Sequence, residues 1–449
     1  MALAWKEIES TIRSTEPIRA SGRVTRVGGL LVEGKLPGAR LGMLCQLRSD
    51  HDDVRVLAEV VALRGDRASL MPLSRLPGLA VGTAIEPGLT DPSVPVGDAL
   101  IGRVINGWGE PIDGKGPLNC TERAPIYPAP LNPMERAMVD QRLSVGIRAV
   151  DGLLTCGAGQ RVVIMAGAGV GKSTLLAMMA RNTEADVTVL GLIGERSREV
   201  RNFVEKELGP EGRRRSVVVT STSNTSVALR IRAAYLATSV AEYYRDKGLK
   251  VLLLVDSLTR ICMAQRELGL AIGEPPTTRG YPPSSFAIIP SLLERAGPGL
   301  IKTGGSITAF YTALLETEDI ADPIAEAIRA VTDGHVVLAR KLADQGHFPA
   351  IDLLSSTSRV MVDVTSDEHK DAAITVRRGL ADLEQARELL TFGAYQRGQI
   401  PAYDRVLELE SEIRDFLTQG QLESIVHEEA LGLLVNLADK LKAPSGGMR

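Results

Sequence analysis

Lys172 and Ser173 close the run Ala166-Gly167-Ala168-Gly169-Val170-Gly171-Lys172-Ser173-Thr174, which follows an apolar stretch at 161–165 and precedes a helical pattern at 175–181. A strand that turns through glycines into a helix start presents backbone N–H groups and the positive end of a helix dipole, a setting made for phosphates. The expected roles follow: Gly167, Ala168, Gly169, Val170 and Gly171 wrap the phosphates of ATP, Lys172 reaches the β- and γ-phosphates, Ser173 ligates Mg²⁺, and Thr174 completes the nucleotide-binding set. Ala166 replaces the first glycine of the strict pattern. That position turns the chain rather than touching phosphate, so the substitution is mild.

Two carboxylates stand where such a site needs them. The apolar run 250–254 delivers Val255-Asp256-Ser257 at its end, and in open α/β sheets ligands bind at strand C-termini. Asp256 is therefore the expected Mg²⁺-supporting carboxylate; taken alone, it reads equally as a helix N-cap. A third run, 187–193, ends in Gly194-Glu195-Arg196. Glu195 is expected to polarise the attacking water, since phosphoryl transfer needs positioning and charge stabilisation more than covalent chemistry. Arg196 offers its planar fork to phosphate oxygens, against the alternative of a helix start laced by salt bridges.

The elements that must position these groups form three regions. Residues 17–95 hold closely spaced strand patterns at 22–33, 39–48, 54–63 and 68–72 without an intervening helix, which predicts a small β-barrel. Residues 96–375 pass through a Gly/Pro-rich stretch at 106–133 into alternating strands (161–166, 187–193, 216–220, 250–255, 306–314, 334–339) and helices, including a long one at 226–245. That alternation predicts an α/β domain built on a mainly parallel sheet. Residues 376–449 are expected to be helical, with Val406, Leu409, Ile413, Phe416 and Leu417 on one face and a second helix carrying Leu422, Ile425, Val426, Leu433, Leu437 and Leu441. Residues 1–16, with Trp5, Ile8 and Ile12 at helical spacing, read as a frayed end or a docking helix, and 444–449 as a disordered tail.

Composition narrows the class. The chain has 449 residues, a net charge of −3, and no basic block to hold nucleic acid. Cys45, Cys120, Cys156 and Cys262 lie far apart, which indicates neither a disulfide framework nor a zinc cluster and fits a reducing compartment. No apolar run of about 18 residues and no leader pattern is seen, so a soluble chain is expected.

Together these motifs resemble the ATPases that energise bacterial type III export in flagella and injectisomes, relatives of the catalytic subunit of rotary ATP synthases. The resemblance rests on Asp151-Gly-Leu-Leu-Thr-Cys-Gly, the phosphate loop, Leu192-Ile-Gly-Glu-Arg-Ser-Arg-Glu-Val200, Asp256-Ser-Leu-Thr-Arg260, the segment from Gly273 to Ser284, and Asp333-Gly-His335 through Ser358-Arg359. It implies a RecA/F1-like phosphate-loop domain between the barrel and the helical region, with Glu195 as catalytic carboxylate and Asp256 supporting Mg²⁺. It also implies a homohexamer in which Arg359 reaches the neighbouring subunit's site. Phe348 stands where the related rotary subunit stacks an aromatic ring on adenine, with Tyr395 as a candidate for the other side; a core role for Phe348 before Pro349 is the alternative. Implied partners are export-gate, stalk and stator-like regulatory proteins and chaperone–substrate complexes, in a cytoplasmic protein peripheral to the inner-membrane export apparatus.

Ser197 and Glu316-Thr-Glu-Asp319 depart from the family's usual Gly-Glu-Arg-Gly-Arg-Glu and Glu-Gly-Asp-Asp. Neither removes a named catalytic group. The Pro-rich segment 273–284 is open between a pore-facing loop and a rigid connection. A hexameric RNA helicase of the transcription-terminator class uses a related core, but needs a stacking platform that residues 17–95, with no Phe, Tyr or Trp, do not offer. A rotary ATP synthase-type subunit is the closer rival, distinguished by its own versions of the export-type motifs, which this chain does not carry. A non-catalytic ring subunit is disfavoured by Lys172, Glu195, Asp256 and Arg359 occurring together. The stretches beginning at Gly29 and Arg230 look more flagellar than injectisome-like.

Overall fold

Strands β1 (Gly22–Gly28), β2 (Leu31–Lys35), β3 (Leu44–Arg48), β4 (Arg55–Arg64), β5 (Arg67–Pro72) and β6 (Ala84–Pro87) close into an antiparallel barrel in the order β1-β2-β5-β4-β3-β6. The computed structural model describes residues 21–48, 55–74, 78–88, 93–315 and 322–443. The segment 1–16, the Glu316–Asp319 stretch and the tail 444–449 lie outside them. Alternation along the barrel strands puts Val24, Val32, Cys45, Leu47, Val56, Val60, Leu70 and Ile85 inside. At Gly34 the wall is too tight for a side chain, because a Cβ there would lie 2.2 Å from Ile85 Cδ1 and 2.7 Å from the Arg23 carbonyl.

After a short antiparallel ribbon of β7 (Ser93–Val96) and β9 (Glu122–Pro125), the chain builds a nine-stranded sheet. Its members are β8 (Val104–Asn106), β10 (Arg161–Ala166), β11 (Val187–Ile193), β12 (Ser216–Ser221), β13 (Lys250–Asp256), β14 (Gly297–Pro298), β15 (Ser306–Leu314), β16 (Gly334–Leu338) and β17 (Ile351–Ser358). The order is β17-β16-β10-β15-β13-β11-β12-β8, with β14 paired to β15. Pairing is parallel except at β14–β15 and β16–β17.

Both faces of the sheet are covered, which is why its central strands read as continuous apolar runs; all seven residues of β11 are buried. Along β10, Val162, Ile164 and Ala166 pack on one side with the helix Lys172–Asn182 and the C-terminal helices. Val163 and Met165 pack on the other with the helices Val227–Asp246 and Leu258–Ile272. Each fully buried Leu, Ile or Val contributes roughly 1.5–3 kcal/mol. Cores of this size fix the strand ends independently of any single polar group placed on them. The long helix is capped by Ser226, whose hydroxyl accepts from Leu229 N–H (3.3 Å) and donates to the Leu73 carbonyl at the exit of the barrel (3.1 Å).

Three features differ from the sequence expectation. β17, partly buried and rich in serine, lacks the apolar signature of the other strands and extends the sheet to Ser358. The helix Asp367–Thr391, capped by Ser366, then runs unbroken through residue 375. The second C-terminal helix starts at His427 rather than near 422, and Leu422 is 90% exposed. Residues 419–423 are instead held against the nucleotide-binding domain. Gln419 donates to the Gly146 carbonyl (2.9 Å) and accepts from Arg148 N–H (2.8 Å), and Asn182 donates to the Glu423 carbonyl (3.1 Å). These tertiary bonds outweigh the local helical pattern.

Candidate active site

The C-terminal ends of β10, β11 and β13 meet on one edge of the sheet, so residues far apart in sequence become neighbours. β10 ends at Ala166 and the chain turns through Gly169 (φ 78°) and Gly171 (φ 88°) into the helix Lys172–Asn182. L-residues with side chains rarely adopt such angles, which accounts for glycine at both positions. Lys172 Nζ lies 2.5 Å from Asp256 Oδ1 and 3.9 Å from Glu195 Oε1. Its side chain and that of Asp256 are both nearly buried.

Asp256 is held on its second side by Thr312 of β15, whose hydroxyl donates to the same Oδ1 (2.7 Å). The N-cap of the following helix Leu258–Ile272 is Ser257, not Asp256, so the carboxylate faces the site rather than a helix start. Glu195 follows β11, with its carbonyl taken by Ser223 N–H (3.0 Å). Burial, and then the neighbouring negative charge of Asp256, push the Glu195 carboxyl up to about 7, against the opposing charge of Lys172. A cavity of about 280 Å³ lies between Ser173, Glu195, Asp256 and Glu199.

The remaining expected residues have different settings. Arg196 is exposed and pairs with Glu199 at 3.5 Å. Phe348 is 44% exposed and leans over the phosphate loop: a Cβ on Gly171 would lie 3.4 Å from its Cδ1. Tyr395 is buried in its own loop, where its hydroxyl donates to Asp404 Oδ1 (2.7 Å) and the Ile400 carbonyl (3.2 Å). Arg359 is exposed just beyond β17, its N–H donating to the Asp333 carbonyl (2.9 Å). Asp333 in turn binds Arg161 at the start of β10 (3.0 Å). Arg359 thus sits at the N-terminal end of β10 and the phosphate loop at its C-terminal end, separated by roughly 17 Å of strand at about 3.3 Å per residue. No arginine side chain spans that distance, so Arg359 does not serve its own loop.

For a divalent cation, the donors at hand are the Ser173 hydroxyl and the Asp256 and Glu195 carboxylates. Among the described residues no cluster of three or more His, Cys, Asp or Glu is arranged to hold a metal ion. That donor set fits Mg²⁺, which keeps several waters and takes few protein ligands beside nucleotide oxygens.

Residues 146–358 match the nucleotide-binding domain of the ATP synthase alpha/beta family, and residues 24–87 its beta-barrel domain. Residues 365–436 match the C-terminal domain of the type III secretion ATPase EscN. The flagellum-specific ATP synthase of Treponema pallidum is 47% identical over 441 residues, 98% of each chain. The chain belongs to the flagellar and type III secretion ATPases. The type 3 secretion system ATPase of Sinorhizobium fredii is 46% identical over 434 residues, covering 97% of this chain and 96% of that one. The assembled EscN of the enteropathogenic E. coli type III secretion system superposes with a TM-score of 0.86 at 40% identity, over 93% of this chain and all of that one. The same EscN has been solved in complex with its central stalk EscO.

As a member of these ATPases the chain is a phosphate-loop enzyme with a barrel, a nucleotide-binding α/β domain and a helical C-terminal region, as the sequence led one to expect. Two polar residues of this ATPase site carried no assigned role in the sequence reading. Thr312 is one; a hydroxyl near the end of an apolar strand candidate was its only signal. Arg260 is the other, one helical turn after Asp256. Its positive charge lowers the Glu195 carboxyl, and a Cβ on Gly194 would lie 2.8 Å from its own Cβ. Among the described residues its Nε is buried without a hydrogen-bond partner. Among the described residues of this ATPase, no helix is long and apolar enough to cross a membrane.

Proposed function

We propose that this ATPase hydrolyses Mg-ATP at sites shared between neighbouring copies of a homohexameric ring, and that it energises type III protein export. The observation that carries the reading is the Lys172–Asp256–Glu195 cluster at one end of β10 with Arg359 at the other. Lys172 is paired with Asp256. An arriving triphosphate offers the ammonium a richer set of oxygens, and the glycine-rich loop offers its N–H groups. Glu195 accepts a proton from, or orients, the water that attacks the γ-phosphate. Ser173 and Asp256 would hold Mg²⁺, which would supply charge neutralisation to the phosphate oxygens. Phe348 provides a ring face for the base. Arg359 of the next copy adds positive charge to the site from outside the chain that holds the loop, and head-to-tail contacts of this kind form a ring where the rotation between copies closes.

Export function adds chaperone–substrate release and entry at the export gate, with stalk and stator-like proteins as ring partners and a cytoplasmic, membrane-peripheral location. The sequences of flagellar and injectisome relatives over nearly the full chain support this. The direct test is Glu195→Gln. The variant is expected to bind Mg-ATP while its hydrolysis falls by roughly 10²–10⁴, the usual contribution of a positioned acid–base group; wild-type hydrolysis would remove Glu195 from the reaction, and loss of binding would make it structural.

A further inference from the structure

Arg340 touches the phosphate loop itself. It follows β16, the strand beside β10, and its Nη2 donates to the Ala168 carbonyl at 2.7 Å. Ala166, at the end of β10, has its carbonyl taken by Leu315 N–H (3.0 Å). On either side of Ala168 the loop backbone is open, since a Cβ on Gly167 or Gly169 would meet nothing within 4 Å. Gly169 also has the conformational freedom of glycine at φ 78°.

We propose that Arg340 is a positioning residue that presets the phosphate loop for nucleotide, an inference that rests on the ATPase reading above. The physical link is the peptide plane. In a trans peptide the C=O and the N–H point in opposite directions. Drawing the Ala168 carbonyl toward Arg340 therefore turns the Gly169 N–H the other way and stops that peptide from flipping. A flipped peptide would present a carbonyl, not a donor, on the opposite side. Arg340 thus acts through the loop backbone, by removing a conformational choice that nucleotide would otherwise have to make. Arg340 lines a cavity of about 620 Å³ together with Gly167, Ala168, Arg260 and Asp352. Its neighbour Lys341, also exposed, is directed instead at Glu384 (3.9 Å).

The test is calorimetric binding of Mg-ADP, with steady-state hydrolysis alongside, for the full chain carrying Arg340→Ala, Arg340→Lys or Lys341→Ala. Arg340→Ala is expected to weaken Mg-ADP binding roughly tenfold or more, as for loss of a charged hydrogen bond, and to raise KM for ATP with kcat within about threefold. Arg340→Lys, which keeps a donor within reach of the carbonyl, should recover part of the loss, and Lys341→Ala should match wild type. Wild-type binding in Arg340→Ala, or an equal loss in Lys341→Ala, overturns the proposal. Lys172→Ala, assayed in parallel, separates the two levels. If it retains turnover, the phosphate-loop reading itself fails; if it loses turnover while Arg340→Ala binds normally, only the role of Arg340 falls.

Discussion

Lys172 Nζ rests 2.5 Å from Asp256 Oδ1, so the lysine expected to meet phosphate is already paired to the carboxylate expected to support Mg²⁺. The pair makes each residue the other's counter-ion. Lys172→Ala then has two effects, one on chemistry and one on stability. It removes turnover, and it leaves Asp256 nearly buried with Thr312 as its remaining donor, costing roughly 1–3 kcal/mol. Thermal unfolding with and without Mg-ATP checks both. The wild-type midpoint should rise with nucleotide by linkage, whereas the variant should start lower and respond less.

Glu195 makes the reaction sensitive to pH near neutrality. Its carboxyl is pushed up to about 7 by burial and then by Asp256, so a large share of the free enzyme holds it protonated at neutral pH and almost all at pH 5.5. A proton acceptor works only when ionised, and kcat/KM reports the free enzyme. The profile of kcat/KM should therefore climb about tenfold per pH unit below that value and flatten above it. The linked stability effect has the opposite direction: a carboxyl whose folded value is raised loses stability as pH rises through it. A flat profile between pH 5.5 and 8 would remove Glu195 as the acceptor.

Phe348 offers an exposed ring beside Gly171. Base stacking on an aromatic is worth about 1–3 kcal/mol, or roughly 5- to 150-fold in affinity. Phe348→Ala should weaken ATP binding within that range, Phe348→Tyr should leave it near wild type, and inorganic triphosphate binding should be the same in all three. Equal losses for ATP and triphosphate would point to a packing role under Pro349.

The joint between barrel and ATPase domain holds a second buried charge relationship. Arg232 is 3% exposed, and among the described residues its Nε and Nη1 have no hydrogen-bond partner. Its guanidinium lies 5.7 Å from the centre of the Trp108 ring. Glu59 of β4 is 9% exposed and accepts from the Tyr127 hydroxyl at 3.4 Å. Burial raises the Glu59 carboxyl, and the charge of Arg232 opposes it. Removing one charge strands the other, so Arg232→Met and Glu59→Gln should each destabilise by about 1–3 kcal/mol, and the double variant by less than their sum. Denaturant unfolding of the four proteins would show additive losses if the two groups do not act on one another.

What was legible in the sequence was what local chemistry fixes. The glycine spacing before Lys172 and the apolar runs ending at Glu195 and Asp256 name the groups because each signal lies within a few residues. Thr312, Arg260 and Arg340 escaped because their roles come from strand order. Thr312 matters only because β15 lies between β10 and β13, and Arg340 only because β16 flanks β10 on its other side. The helix start at His427 was missed for the same reason, since side-chain bonds from Asn182 and to Gly146 hold residues before it in a turn and loop. Family resemblance named Arg359, which spacing alone did not. The sheet places that residue beyond reach of its own loop.

The measurement that bears most directly on a shared site is hydrolysis in mixtures of Lys172→Ala and Arg359→Ala. Each variant alone should be inactive, with Arg359→Ala reduced by roughly 10³–10⁵ as for other arginine fingers. In mixed rings some interfaces pair an intact Lys172 with an intact Arg359 from the neighbour, so activity should reappear on mixing and climb with protein concentration. Wild-type activity in Arg359→Ala, independent of concentration, would contradict the account and leave the site complete within one chain.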